Sequence, residues 1–393
     1  MIETEDFDAV LYEYDDSDDN YDNDKPTQLD IDKLSQTVVY AADWTVETLK
    51  NQIKNGTIFL SPIFQRRDAW DVRTKSKLIE SLILGIPVPN IVLADEPKSK
   101  RKIVLDGKQR LLSILQFFGE GEPTLPDHGF KLQGLDLLTS LEGQTYQSLK
   151  NNQDNVEFLR SYENQTIRTI VLRDWPDESF LHNTFLRLNQ GGKKLLGQEL
   201  RLALHPGEFM RFIDERSVDM KILAKIFRPH PDPRMADSEL LLRFLAFHSN
   251  RESYRGGMKS FLDQTSRQLS KQWQESHTFQ QEVKDLLKQF EEALELGLEI
   301  FGKNFSKVYD TEKNTYKARF NKSIFDMLIH PFLRSEIREK VRDKPDVVKK
   351  AYEDLFEDSD FEDAVVQATR TADATSLRFQ KWESTLEQIF LED

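Results

Sequence analysis

The sequence contains no cysteine, which excludes a disulfide framework and any metal site built on thiolates. It also lacks a run near the roughly 18 uninterrupted apolar residues of a membrane-spanning helix. The longest apolar stretch, Leu82 to Ala94, is broken by Pro87 and Pro89. The N-terminus lacks the basic-then-apolar pattern of a signal peptide. We therefore expect a soluble, cytoplasmic protein with no membrane partner.

Histidine is scarce and poorly placed for a helical metal site. No two of the seven His residues stand four positions apart, so a metalloprotease-like zinc pair is excluded. No segment of the sequence is basic enough for its charge to indicate nucleic-acid binding. These absences leave regulatory, nucleotide-binding and protein-binding functions open.

Acidic residues are concentrated at the N-terminus. Residues 1–24 hold eleven Asp or Glu and no Lys or Arg, which leaves only −3 of the net charge of −14 for the rest of the chain. Such a segment cannot bury enough apolar surface to offset the cost of ordering, so residues 1–33 are predicted to be a disordered tail. Two interpretations stay open: a solvating tail, and a pseudo-substrate that covers an anion site.

The remaining length and its periodicity predict two domains. Residues 34–204 alternate between short β-branched runs and amphipathic helical runs, as in a mixed α/β domain. From residue 205 to 393 the pattern is helical alone, which predicts an all-α helical domain. The longest amphipathic run, residues 279–301, contains Gly297, which is expected to weaken its last turn. The predicted fold class is α+β.

One stretch in the first domain has the pattern of an anion site. Residues 102–105 predict a buried strand, Asp106-Gly107 a turn, and residues 109–118 an amphipathic helix. The first N–H groups of a helix lack internal partners and its dipole favours negative charge there. Lys108 and Arg110 add two cations at the same point. The alternative is a buried turn whose cations are merely solvated. The predicted apolar face of the helix comprises Leu111, Leu112, Ile114, Leu115 and Phe118.

Three ordered motifs carry a family resemblance. The first motif is Phe64-Gln65-Arg66 with Trp70, followed by a predicted helix that ends in Gly85-Ile86-Pro87-Val88-Pro89. The second motif is Asp106-Gly107-Lys108-Gln109-Arg110. The third motif is Arg187-Leu188-Asn189-Gln190-Gly191-Gly192, with Glu199-Leu200-Arg201 after it. Together they resemble the N-terminal domain of GmrSD-type restriction endonucleases, a branch of the ParB/sulfiredoxin-like superfamily. Lys108 stands where the family most often has Gln.

The resemblance implies a ParB/sulfiredoxin-like domain that binds a nucleoside triphosphate with Mg²⁺. It assigns nucleotide binding to Gln65, Arg66, Gly107, Lys108, Gln109, Arg110 and Asn189. It assigns catalysis to Asp106 and Arg110, with Asp106 as the metal ligand. Since Lys108 adds a charge, the nucleotide preference and the occurrence of hydrolysis stay open.

Full-length family members also carry a C-terminal HNH nuclease, which needs paired His and Asn. Residues 205–393 show only isolated His, so we expect a stand-alone member without that nuclease. A different motif, Arg243 with His248, matches the loose spacing of HEPN-type ribonucleases and also suits an ordinary core helix.

Two functional hypotheses follow from these observations. One is an NTP-hydrolysing regulatory protein of a modification-dependent restriction system in phage defence. The other is a nucleotide- or DNA-responsive binding module without turnover. The expected partners are a nucleotide and either DNA or a separate nuclease subunit, and an oligomer is compatible with the sequence.

Overall fold

The computed structural model describes residues 37–60, 70–96, 99, 101–120, 128–176, 180, 181, 184, 188, 197–204, 207–367 and 371–391. The chain divides into two compact units between Leu204 and His205, and each is described by itself. The predicted tail, residues 1–33, lies outside the described residues, so the predicted domain limits stay predictions. The α+β class is confirmed.

The first unit is built on a five-stranded sheet in the order β1-β5-β3-β4-β2. Its strands are β1 (Val38–Thr45), β2 (Ile58–Phe59), β3 (Ile91–Asp95), β4 (Lys102–Asp106) and β5 (Thr166–Arg173). β3 runs parallel to β5 and antiparallel to β4, whereas β2 is parallel to β4 and β1 antiparallel to β5. The sheet is therefore mixed.

Helices cover this sheet, and each begins or ends where the local sequence favours it. They are α1 (Val46–Lys54), α2 (Val72–Ile83), α3 (Lys108–Phe117), α4 (Tyr146–Asn151), α5 (Val156–Asn164) and α6 (Gly197–Leu204). Thr45 and Asp71, residue types that favour the N-cap position, cap α1 and α2 by accepting from the backbone N–H groups of Thr48 and Thr74. Gly85 follows α2 with φ +71°.

Both faces of β3 are buried. Ile91 and Leu93 point into a large core that includes the apolar faces of α1, α2, α3 and α5. Val92 and Ala94 point into a smaller core on the opposite face. Alternation of side chains along a strand explains this division. α3 buries Phe117 fully, whereas Phe118, which was predicted to lie on the apolar face, is only partly buried at the end of the helix.

Buried polar residues of α2 hold the irregular segment that follows α3. The carboxylate of Glu80 accepts hydrogen bonds from the backbone N–H groups of Asp136, Leu137 and Leu138 at 3.1, 2.7 and 2.6 Å. The hydroxyl of Ser76 accepts from the N–H of Gln133 at 2.9 Å. Burial alone would raise the pKa of Glu80, but the three backbone donors outweigh burial and hold that pKa below its usual value.

The second unit is helical with one addition. Its helices are α7 (Glu208–Asp219), α8 (Ala236–Asn250), α9 (Met258–Glu275), α10 (His277–Phe301), α11 (Lys322–Ile329), α12 (Ser335–Asp343), α13 (Pro345–Asp354), α14 (Ser359–Val366) and α15 (Ala372–Leu391). A hairpin of β6 (Lys307–Asp310) and β7 (Thr315–Phe320) departs from the predicted all-α pattern. Its strands are too short to give a clear period-two signal, and Asn314 turns the chain with φ +52°.

Gly297 has a packing role in the second unit. A Cβ at this position would lie 2.5 Å from Cε2 of Phe305, so only glycine lets the aromatic ring approach α10 this closely. The helix continues past it to Phe301. The expected weakening of the last turn is therefore offset by the packing of a buried phenylalanine.

Candidate functional site

Residues 106–110 of the predicted anion site lie at the junction of β4 and α3. β4 ends at Asp106, and Gly107 precedes the helix with φ +93° and ψ 11°. No side chain among the described residues caps α3, so the first backbone N–H groups of this helix have no capping acceptor there. The Oδ1 of Asp106 accepts from the N–H of Gly107 at 2.7 Å, which fixes the turn.

Two independent constraints require glycine at position 107. Its positive φ disfavours any side chain. In addition, a Cβ would lie 3.0 Å from Cγ1 of Ile91 and 3.3 Å from Nη2 of Arg110. The side chains of Ile91 and Arg110 consequently pack directly against the backbone of Gly107.

Arg110 is held in place by the protein rather than extended into solvent. Its Nη2 donates to Oδ2 of Asp106 at 3.0 Å and to the carbonyl oxygen of Asn90 at 2.8 Å. The side chain is 12% exposed, and its Nε is buried with no hydrogen-bond partner among the described residues. This guanidinium links β3, β4 and α3 and keeps unused donor capacity.

Gln109 carries a second unsatisfied polar atom. Its Oε1 is buried without a hydrogen-bond partner in the described part of the chain. Buried polar atoms in folded proteins nearly always have partners, and the Oε1 of Gln109 and the Nε of Arg110 have none among the described residues. Lys108 lies partly buried in the same first turn.

The sheet topology is compatible with the predicted contribution of the segment that follows β2. Because β2 is parallel to β4, with Phe59 opposite Ile103, the chain leaves β2 toward the edge of the sheet where Asp106 lies. Gln65 and Arg66 follow β2 in sequence, but they lie outside the described residues, as does Asn189. The placement of these three residues in the site stays a prediction.

The junction suits a polyphosphate better than a metal ion held by protein alone. Uncapped N–H groups, a glycine and spare arginine donors are the features that bind phosphate oxygens. Within the described ranges, no cluster of three or more His, Asp or Glu could hold a metal ion. Mg²⁺ in nucleotide sites is usually bound through one or two carboxylates plus phosphates. The assignments of Asp106 to Mg²⁺ and to catalysis stay predictions.

Arg243 has a structural role in the second unit. Its guanidinium donates to Asp326, with Nη2 2.5 Å from Oδ2 and Nε 3.2 Å from Oδ1, and both side chains are buried. His248 is exposed one turn further along α8, its ring stacked 6.4 Å from that of His330. The buried ion pair accounts for Arg243 without ribonuclease chemistry.

The sequence patterns did not identify Asn90 and Ile91 as parts of the site. Asn90 contributes its backbone carbonyl, and Ile91 restricts the space beside Gly107. A carbonyl contribution leaves no signal in residue type.

Comparison with known proteins supports the resemblance. Residues 46–206 match the family model described as the GmrSD restriction endonuclease, N-terminal domain. No curated protein and no solved structure matches the chain. The match includes β2 to β5 and the whole Asp106–Arg110 junction. No described helix is long and apolar enough to cross a membrane. The motifs of residues 46–206 and the family match thus agree: this part of the chain is similar to the GmrSD restriction endonuclease, N-terminal domain.

Proposed function

We propose that this protein is a nucleotide-binding regulatory component of a restriction-type system that acts against phage. The first unit binds a nucleoside triphosphate at the β4–α3 junction and hydrolyses it. The domain family supports a function connected with restriction. The uncapped start of α3 beside Gly107 and Arg110 is the observation that carries the choice of ligand.

In this proposal the phosphate oxygens accept hydrogen bonds from the first N–H groups of α3 and from the unused donors of Arg110. Lys108 adds positive charge in the same turn. Asp106 holds Arg110 at 3.0 Å and fixes the turn at Gly107, so that the donors are positioned before a ligand arrives. A bound Mg²⁺ would neutralise the phosphates and be held by them together with Asp106.

The decisive experiment is a titration of labelled nucleoside triphosphates against the wild-type protein and Arg110→Ala. Hydrogen bonds to charged groups contribute about 1.5–3 kcal/mol each, so the variant should bind about one to two orders of magnitude more weakly. Arg168→Ala is the matched control, because Arg168 is exposed and paired with Asp43. Equal nucleotide affinities of the folded wild-type and Arg110→Ala proteins would show that the nucleotide does not bind at this junction.

A non-hydrolysing nucleotide- or DNA-responsive module is the second candidate. One observation favours it: both oxygens of Asp106 already accept hydrogen bonds from the protein. A carboxylate whose oxygens already accept hydrogen bonds from the protein has less capacity left to coordinate a metal ion. Measuring phosphate release from each of the four NTPs with Mg²⁺ separates the two functions. Binding without release would favour the module and a partner protein, such as a separate nuclease subunit, that responds to the bound state.

A further inference from the structure

The loop between α7 and α8 concentrates positive charge in a unit that is acidic as a whole. Residues 205–393 contain 30 Lys or Arg and 35 Asp or Glu, whereas residues 220–235 contain four cations and one acid. The acid, Asp232, is buried, and its Oδ1 accepts from the backbone N–H groups of Arg234 and Ala236 at 2.9 and 3.1 Å. The carboxylate of this loop is therefore used inside the protein. The four cations are Lys221, Lys225, Arg228 and Arg234.

Three of these cations lie along one face of a short helical turn. The chain forms a 3₁₀ helix at Lys221–Lys225, and the carbonyl of Leu223 accepts from the N–H groups of Ile226 and Phe227 at 2.9 and 2.8 Å. Residues three and four apart are neighbours on such a turn. The buried side of the turn comprises Ile222, Leu223, Ile226 and Phe227. The exposed side comprises Lys221, Ala224, Lys225 and Arg228, and we call its three cations the cationic row.

The loop that carries the cationic row is anchored to the helices on both sides of it. The Nε2 of His230 lies 2.9 Å from the carbonyl oxygen of Ser217 on α7. The backbone N–H of Asp232 donates to Oδ2 of Asp237 on α8 at 3.0 Å. Because these contacts and the buried side chains fix the backbone under the row, a ligand of opposite charge meets a preformed surface.

The β6–β7 hairpin is a second basic stretch, but its cations are engaged within the protein. Lys313 forms an ion pair with Asp310 at 3.3 Å, and Lys322, just after the hairpin, is buried 3.4 Å from Glu239. In the described part of the chain, neither Lys221 nor Arg228 pairs with a carboxylate. The cationic row is therefore the surface that best suits a negatively charged partner.

We propose that the cationic row is the docking surface for the acidic N-terminal segment, residues 1–24, of the same chain. This segment holds eleven Asp or Glu and no Lys or Arg, so its charge is opposite to that of the row. Residues 1–36 precede β1 and span up to about 120 Å when extended. That length is several times the radius of gyration of roughly 16 Å expected for a unit of this size. Chain length therefore permits the contact, which does not depend on nucleotide binding.

The contact is electrostatic and requires no fixed structure of the acidic segment. Single exposed ion pairs contribute little, so docking relies on many carboxylates that exchange over the three cations. Salt weakens such a contact, because the Debye length falls from about 10 Å at 0.1 M to about 3 Å at 1 M. While the segment is docked, the row is shielded from other polyanions.

The absence of cysteine makes the contact measurable in the full-length protein, because spin labels attach only to introduced thiols. One label is placed in the acidic segment by Ser17→Cys and the other in the row by Ala224→Cys. Dipolar spectroscopy then measures the distance between the labels. We expect a population of short distances at low salt that disappears in 1 M salt.

Charge reversal identifies the surface that holds the acidic segment. Lys221→Glu with Arg228→Glu removes two attractions and adds two repulsions, so the ratio of docked to undocked segment should fall about tenfold. The control, Lys271→Glu with Lys284→Glu, changes the net charge equally at exposed positions of α9 and α10. It should leave most of the short-distance population in place. Melting curves check that both double variants are folded.

Three results would overturn the proposal. The first is a distance distribution that salt does not change, which tests the contact without any charge reversal. The second is an equal loss of short distances in the row variant and its control. The third is an unchanged distribution in a row variant that binds duplex DNA more weakly than wild type, which would assign the row to a nucleic-acid backbone. None of these results affects the loss of nucleotide affinity expected for Arg110→Ala, so the proposed function is judged separately.

Discussion

The Nη2 of Arg110 lies 3.0 Å from Oδ2 of Asp106, one helical turn away, and the same nitrogen donates to the carbonyl of Asn90. Asp106 also fixes the turn through the N–H of Gly107. The carboxylate of Asp106 thus fixes both the backbone conformation at Gly107 and the position of the Arg110 guanidinium. Substitutions here should therefore separate binding, turnover and folding.

Asp106→Asn should leave nucleotide binding within about threefold of wild type and abolish phosphate release. The amide still offers an oxygen to Gly107, and Asn90 still holds Arg110. The stability cost should stay near 1 kcal/mol, because the pair is partly exposed. Binding assays, phosphate release and urea unfolding measure the three quantities. Undiminished phosphate release would limit Asp106 to positioning Arg110.

Gly107→Ala should destabilise the protein by about 2 kcal/mol and weaken nucleotide binding. The left-handed backbone and the 3.0 Å approach to Ile91 both oppose a side chain. Gly143→Ala is the matched control, since Gly143 has φ +77° and open space around a Cβ. Gly143→Ala should lower the free energy of unfolding by about 1 kcal/mol and leave nucleotide binding unchanged. Identical behaviour of the two variants would argue against a special role for the space beside Gly107.

Glu80→Ala should destabilise the first unit by about 3 kcal/mol. It leaves three backbone N–H groups of the Asp136–Leu138 segment without their buried acceptor. Glu142→Ala, which removes an exposed carboxylate from two backbone N–H groups, should cost less. Urea unfolding of both variants measures which substitution lowers the free energy of unfolding more. A larger loss for Glu142→Ala would contradict the importance of burial.

His330 should make the second unit sensitive to mild acid. Burial lowers its pKa from 6.5 to about 4, and its Nδ1 lies 2.6 Å from the carbonyl oxygen of Asp326. The unfolded chain therefore binds more protons between these values, so stability falls as pH drops from about 6.5 to 4, by roughly 2–3 kcal/mol.

Urea unfolding of wild type and His330→Phe across this range provides the test. Most of the slope between pH 6.5 and 4.5 should disappear in the variant. Glu80, whose pKa is depressed, loses its stabilising contribution mainly below its ordinary pKa of 4.5. The two windows are therefore distinguishable. A slope that is identical in His330→Phe would place the acid sensitivity elsewhere.

Local sequence determined the elements whose signals are short in range. The caps Thr45 and Asp71, the glycine turn at 107 and the apolar face of α3 are all set by neighbouring residues, and the structure confirms the predicted turn and helix. The ordered motifs around Asp106–Arg110 were also sufficient to indicate the domain family, which the family match confirms. Hydrogen bonding and helical periodicity act over four residues or fewer, so sequence alone reveals them.

Tertiary structure decided what depends on distant partners. β1 was not predicted, because its pairing with β5 joins Val38 to Arg173 and no local pattern encodes that contact. The hairpin at Lys307–Phe320 is likewise defined by pairing and by its packing on Tyr352. The partner of Arg110 at Asn90 is a backbone carbonyl, which every residue type provides. Where the energy comes from packing and backbone groups brought together by folding, residue identity alone does not specify the contact.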